Sequence, residues 1–258
     1  MNIARHRLLA WRCAGVGALM LIRLPLPAHA GAPFVTDDPG TTPPGDFEID
    51  LAATHGRLRG ETSGGLPSLE VDYGAGSALQ LHAVAALAYT RPDGGSLHFG
   101  YGDTELGAKL RFLAEDEQGW RPAAALFPLV EAPTGDARQG LGAGRPRAFV
   151  PLCLGKSTAG WNIFGGGGYW FDPGPGDQNW WLLCVAATRK VTGSLALGGE
   201  VFHASARRPG GKDGTGFNLG GSYDFSAHHH LLLSAGRGLR NGTTTNQLSG
   251  YLAYQLTF

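Results

Sequence analysis

The feature that most constrains this chain is a period-two alternation of apolar and polar residues, held over segments of about ten residues between turn-rich stretches. From position 103 to 112 the even residues are Thr104, Leu106, Ala108, Leu110 and Phe112, and the odd ones are Asp103, Glu105, Gly107, Lys109 and Arg111. Successive side chains of an extended chain point to opposite faces, so one face is apolar and the other carries four charges. Residues 217–225 repeat the pattern with Phe217 and Phe225 at the ends. At the C-terminus Leu248, Leu252, Tyr254, Leu256 and Phe258 alternate with Gln247, Ser249, Tyr251, Gln255 and Thr257. Near the start, Phe47, Ile49 and Leu51 alternate with Glu48 and Asp50.

A soluble β-sandwich alternates too. These segments, however, are long for sandwich strands. Their polar faces carry glycine, serine and opposite charges suited to a lumen, and their apolar faces often end on Tyr, Trp or Phe, as interfacial girdles do. The expected fold is all-β: a transmembrane up-and-down antiparallel β-barrel of about twelve strands. The segments fall near 46–56, 66–74, 78–90, 102–114, 119–131, 146–156, 160–171, 178–189, 193–204, 215–226, 230–239 and 246–258. The fifth, sixth and eighth alternate poorly, and Pro122, Pro128 and Pro151 leave the register of the fifth and sixth open. Connections 74–77, 157–159 and 190–192 are tight, whereas 57–65, 91–101, 132–145 and 205–215 are long and rich in Gly, Pro, Asp and Arg. Short turns on one rim and long loops on the other describe an outer-membrane barrel whose short rim is periplasmic.

Residues 1–30 read as a cleaved signal peptide. Arg5, His6, Arg7 and Arg12 precede an apolar stretch at 13–22, and Ala28-His29-Ala30 gives the small-x-small pattern of a cleavage site. The expected division is signal peptide 1–30, periplasmic N-terminal segment 31–45 and outer-membrane barrel 46–258 in a Gram-negative bacterium. No later apolar run is long enough to span as a helix. Lys plus Arg and Asp plus Glu balance at 21 each without a basic block, so nucleic acid is not an expected partner. Cys153 and Cys184 read as small apolar wall residues, with disulfide pairing the alternative if the fold brings them together. No cofactor is expected: a third cysteine and a C-x-x-C pattern are both missing after residue 30.

Several stretches resemble the Gram-negative outer-membrane transporter family labelled MetA-pathway of phenol degradation. They are Phe34-Val35-Thr36-Asp37-Asp38-Pro39-Gly40, Gly102-Asp103-Thr104-Glu105-Leu106-Gly107-Ala108-Lys109, Glu131-Ala132-Pro133-Thr134-Gly135-Asp136, residues 211–221 and residues 230–239. The terminal Tyr254-Gln255-Leu256-Thr257-Phe258 is similar to the aromatic-ended tag that such barrels present to the barrel assembly machinery, with Phe258 as the signal. The resemblance runs from about residue 34 to the end. It implies passage of small solutes, aromatic ones among them, through a barrel held in outer-membrane lipid, and it names no catalytic residue.

Asp103, Glu105, Lys109 and Arg111 are expected in the lumen, with Glu48, Asp50, Glu70 and Asp72 on the first two strands and Glu200, Asn218 and Asp224 on later ones. They fit either a salt-bridge network filling the interior or a charged constriction that selects solutes. Lys109 and Arg111 should then meet acids such as Glu70, Asp72 or Glu131. Gly165 to Gly168 lacks the helix and Lys-Ser/Thr of a phosphate loop, and reads as a bend or bare backbone under aromatic neighbours. His228-His229-His230 reads as a polar turn, because adjacent side chains of an extended chain diverge. His203 and Ser205 form a His-x-Ser pair like those of outer-membrane lipid hydrolases, but no acid is evident to orient the histidine. The leading expectation is a non-enzymatic passive transporter or narrow pore for small organic solutes, the alternative a non-conducting structural or sensing barrel.

Overall fold

The computed structural model describes residues 33–116 and 118–258, and the leader at 1–30 lies outside them. Twelve antiparallel strands close into one barrel. They are β1 (Phe47–Leu58), β2 (Glu61–Gly76), β3 (Leu79–Pro92), β4 (His98–Tyr101 and Thr104–Leu113), β5 (Ala123–Leu126 and Leu129–Ala132), β6 (Arg147–Thr158), β7 (Trp161–Phe171), β8 (Trp180–Lys190), β9 (Leu195–Ala204), β10 (Gly214–Asp224), β11 (His229–Arg240) and β12 (Leu248–Thr257). Each strand pairs with its neighbours in sequence, and β12 returns to β1 with Thr257 opposite Glu48. Two strands are interrupted. Both pieces of β4 pair with β3 across a break at Gly102-Asp103, and both pieces of β5 pair with β4 and β6 across Phe127-Pro128. Pro128 offers no N–H to the ladder, which accounts for the second break.

The alternation sorts the two faces. Leu51, Leu106, Leu110, Phe112, Leu219 and Leu252 lie on the outer surface, while Asp50, Glu105, Lys109, Asn218 and Tyr251 are buried within. A one-residue slip would reverse this and put charges against hydrocarbon, at roughly 2–4 kcal/mol for a midplane lysine. Aromatic rings mark both rims. Tyr169 packs on Phe171 and Trp181 at one end, and Phe47 packs on Tyr73 and Phe258 at the other.

The rim that holds Phe47 and Phe258 carries the turns 77–78, 159–160, 191–194 and 225–228, with 114–122 longer. The opposite rim carries 93–97, 133–146, 172–179, 205–213 and 241–247. One expected long connection is corrected: 57–65 is a tight turn at 59–60, because β1 and β2 extend further and Gly60, at φ +92°, closes them. Of the four glycines of β7 only Gly168 lies beneath an aromatic neighbour, where a Cβ would collide with the Phe149 ring; Gly165, Gly166 and Gly167 lie against the backbone of adjacent strands and Leu183.

Candidate functional site

One wall of the lumen, on β1–β4, is polar. His82 places Nδ1 2.8 Å from Asp72 and Nε2 3.0 Å from Glu105, with Glu70 3.7 Å from Nδ1. Both ring nitrogens face carboxylates, so both bonds form only with the imidazolium. The ligand atoms of Glu70, Asp72 and His82 lie within 4.8 Å of one another, close enough to hold a cation, although His82 itself already sits among the acids as a countercharge. Beside them Asp50 accepts from Tyr251 at 3.1 Å, and Glu48 accepts from Gln255 at 2.8 Å.

Residues 33–42 run within the lumen and 43–45 lie exposed at its rim, which corrects the assignment of the segment to the periplasm. Chain entry is at the terminal-bearing rim, where the Gly45 N–H donates to Gly74 at 2.8 Å. The Thr42 amide donates to Gln80 at 2.9 Å. Asp37 meets Lys109 at 2.8 Å, deep inside. The amides of Val35 and Thr36 and the Thr36 hydroxyl all donate to Glu200, whose other donor is Asn218. Phe34 packs between Phe164 and Ala186, and Ser234 donates to the Pro33 carbonyl. Five backbone or hydroxyl groups of a Thr-, Asp- and Pro-rich strap are thus satisfied by lumen side chains, as buried polar groups require.

Not every expected lumen residue acts there. Asp103 sits in the β4 break and holds the 133–146 loop, accepting from the amides of Gly135 (3.0 Å) and Ala143 (2.6 Å). Arg111 donates to the Ser77 carbonyl at 2.8 Å on the turn rim, and not to an acid. Lys109 reaches Asp37 and not Glu70, Asp72 or Glu131; Glu131 pairs with Arg147. Asp224 is bound to His230 at 2.8 Å beside the 225–228 turn.

The opposite wall, on β5–β9, was not anticipated. Phe127, Leu129, Phe149, Trp170, Trp180 and Leu182 form one buried cluster, with Phe202 packed against it. Phe149, Trp170 and Trp180 stack in series at 4.8 Å and 5.5 Å, with 12° between planes in each pair. Apart from Trp170 on β7 and Phe202 on β9, these are inward-facing residues of the strands that alternated poorly: there both faces are apolar, so the period-two signal vanishes although the strands remain. Above the strap, this wall and the long loops enclose a cavity of about 510 Å³ with Pro33, Phe34 and Val35 among its lining. Arg145 ties two loop residues over it, meeting Asp172 at 2.5 Å and Asp177 at 2.6 Å, and Arg208 joins Asp177 at 3.2 Å.

The family described as Putative MetA-pathway of phenol degradation matches residues 30–258. The chain belongs to that family. No curated protein matches in sequence. Among solved structures, an outer membrane channel from Pseudomonas putida F1 aligns with TM-score 0.68 at 17% identity, covering 86% of this chain and 98% of that one. The NanC porin aligns with TM-score 0.56 at 10% identity over 81% of this chain and 98% of its own. The translocator domain of the autotransporter NalP from Neisseria meningitidis aligns with TM-score 0.50 at 11% identity, over 85% and 89%. At these identities the likeness establishes a shared outer-membrane barrel fold.

In this MetA-pathway family member, the His203-x-Ser205 pair is not joined as nucleophile and base. The Ser205 hydroxyl accepts from the Trp181 amide at 2.8 Å, and His203 Nδ1 bonds Thr215 at 2.9 Å. An acid missed in the sequence, Asp213, lies 3.9 Å from His203 Nε2, but it also pairs with Arg240 and Asn241. The three turn histidines go to separate partners: the Thr257 carbonyl, Tyr254 and Asp224. Cys153 and Cys184 are both free.

Proposed function

We propose that this barrel is a passive outer-membrane pore for small organic solutes, narrowed at mid-height by residues 33–45. The observation that carries the reading is the cavity between the long loops and the strap, walled on one side by stacked aromatic rings. An apolar pocket with a few placed polar groups is the usual form of a small-molecule site. Passage to the other rim runs along the polar wall, where Glu70, Asp72, Glu105 and Lys109 would screen charge. The strap must shift for that passage, and it is held by hydrogen bonds and one ion pair within the lumen, not by a covalent link.

The same strap favours a second reading, a plugged barrel that conducts nothing. Planar-bilayer current and liposome uptake by the purified protein decide between them. Conductance or solute uptake by the intact chain supports the pore, and absence of both in the intact chain, with current appearing only after deletion of 33–44, supports the plugged barrel. Lipid hydrolysis abolished by Ser205→Ala would overturn both.

A further inference from the structure

Six cations line the upper cavity, and most are neutralised. Arg57 pairs with Asp93, Arg145 with Asp172 and Asp177, Arg147 with Glu131, and Arg208 with Asp177. Among the described residues, Arg207 and Lys212 have no ion-pair partner. Lys212 is exposed on the loop, but Arg207 is held. Its guanidinium lies 4.0 Å from the Trp180 ring centroid, at the end of the Phe149–Trp170–Trp180 stack. Its backbone carbonyl accepts from Gln178, and the preceding Ala206 carbonyl accepts from the Gln178 side chain. Ser205 is tied to Trp181 by two further bonds. The position of this cation is therefore fixed by the base of its loop before any ligand arrives. Burial and the nearby Arg147 bring the Arg207 pKa down to about 10, which still leaves it charged at neutral pH. Three donors beside it, Nε of Arg145, Nε of Arg147 and Nε1 of Trp180, are buried without an acceptor.

A guanidinium on an aromatic face, without a carboxylate of its own, suits a ligand that brings both an anion and a flat ring. The anion completes the guanidinium's hydrogen bonds, and the ring lies on the guanidinium face turned away from Trp180, which is itself buried between Trp170 and Arg207. We propose that Arg207 and Trp180 form a binding subsite for aromatic carboxylates in the upper cavity. The proposal takes the passive-pore reading one step further, to a class of solute. A neutral phenol brings the ring without the charge, since phenolic groups ionise only near pH 10. Acetate brings the charge without the ring.

The test is calorimetric titration of the full chain, folded in detergent micelles at neutral pH, with benzoate, cyclohexanecarboxylate, phenol and acetate. Benzoate is expected to bind about tenfold or more tightly than each of the others, and Arg207→Gln to weaken it about tenfold. Trp180→Leu, which keeps the charge, should erase the advantage over cyclohexanecarboxylate. Lys212→Gln should leave binding unchanged. Equal binding of benzoate and acetate, unaltered binding in Arg207→Gln, or equal losses in Arg207→Gln and Lys212→Gln would overturn the subsite. Benzoate uptake into proteoliposomes is read separately. Binding without uptake sinks the pore and keeps the subsite, and uptake indifferent to Arg207→Gln sinks the subsite and keeps the pore.

Discussion

On β1–β4 the lumen receives Asp50, Glu70, Asp72, His82, Glu105 and Lys109, whereas β5–β9 present Phe127, Phe149, Trp170, Trp180 and Phe202 to the same interior. The polar wall is held by pairing, since each buried charge needs a partner at hydrogen-bond distance and brings groups inward to find one. The aromatic wall is held by rings stacked across three adjacent strands, which fills one side and leaves room above the strap. The strap touches both: Asp37 goes to Lys109, Phe34 to Phe164 and Ala186. One side of the lumen is thus ionic and the other apolar and aromatic, and the strap lies between them.

The largest effect should come from removing that link. Deletion of residues 33–44 is expected to leave a barrel that still shows heat-modifiable gel mobility but gives steady current in planar bilayers, well above that of the intact chain. Unchanged current would mean the loops, and not the strap, close the lumen. Next in size is loss of packing on the aromatic wall. Phe149→Ala should lower unfolding stability by about 3–5 kcal/mol in a denaturant titration, because it cuts the stack and uncovers Gly168. On the polar wall, Lys109→Ala should cost about 3 kcal/mol by leaving Asp37 buried and unpaired, and adding Asp37→Asn should restore much of it. Equal losses in the single and double variants would show that the pair does not tie the strap to the wall. The smallest change is expected from Arg111→Ala, which loses only an exposed bond to Ser77: less than about 1 kcal/mol, with ion preference in reversal-potential measurements unaltered.

Much of the barrel could be read from residue order because its constraint is local. Hydrocarbon outside forces Leu106, Leu110 and Phe112 to one face, and the two-residue period then sends Glu105 and Lys109 to the other. The loss of alternation in the fifth, sixth and eighth segments held information too. Phe127, Phe149 and Trp180 point inward, so apolar residues on both faces are the mark of an aromatic lumen wall and not of a weak strand. The clue was present, but nothing in one segment says which apolar face meets lipid.

The N-terminal segment was misplaced for a different reason. Phe34-Val35-Thr36-Asp37-Asp38-Pro39-Gly40 has the composition of a linker, and its partners Lys109, Glu200 and Ser234 are far along the chain. The loop that carries Arg207 poses the same problem, since its stacking on Trp180 depends on how β8 and β9 stand side by side. Sequence alone determined the strand number, the family resemblance and, wherever a segment alternates, the lipid-facing register, because each follows from neighbours within a segment. The tertiary structure alone decided that the segment after residue 33 enters the lumen, that Lys109 meets Asp37, and that Arg207 stands on Trp180 without an ion-pair partner. Those outcomes are set by closure of the barrel, which brings groups 72 to 201 residues apart within hydrogen-bond range and leaves buried polar atoms to find partners there.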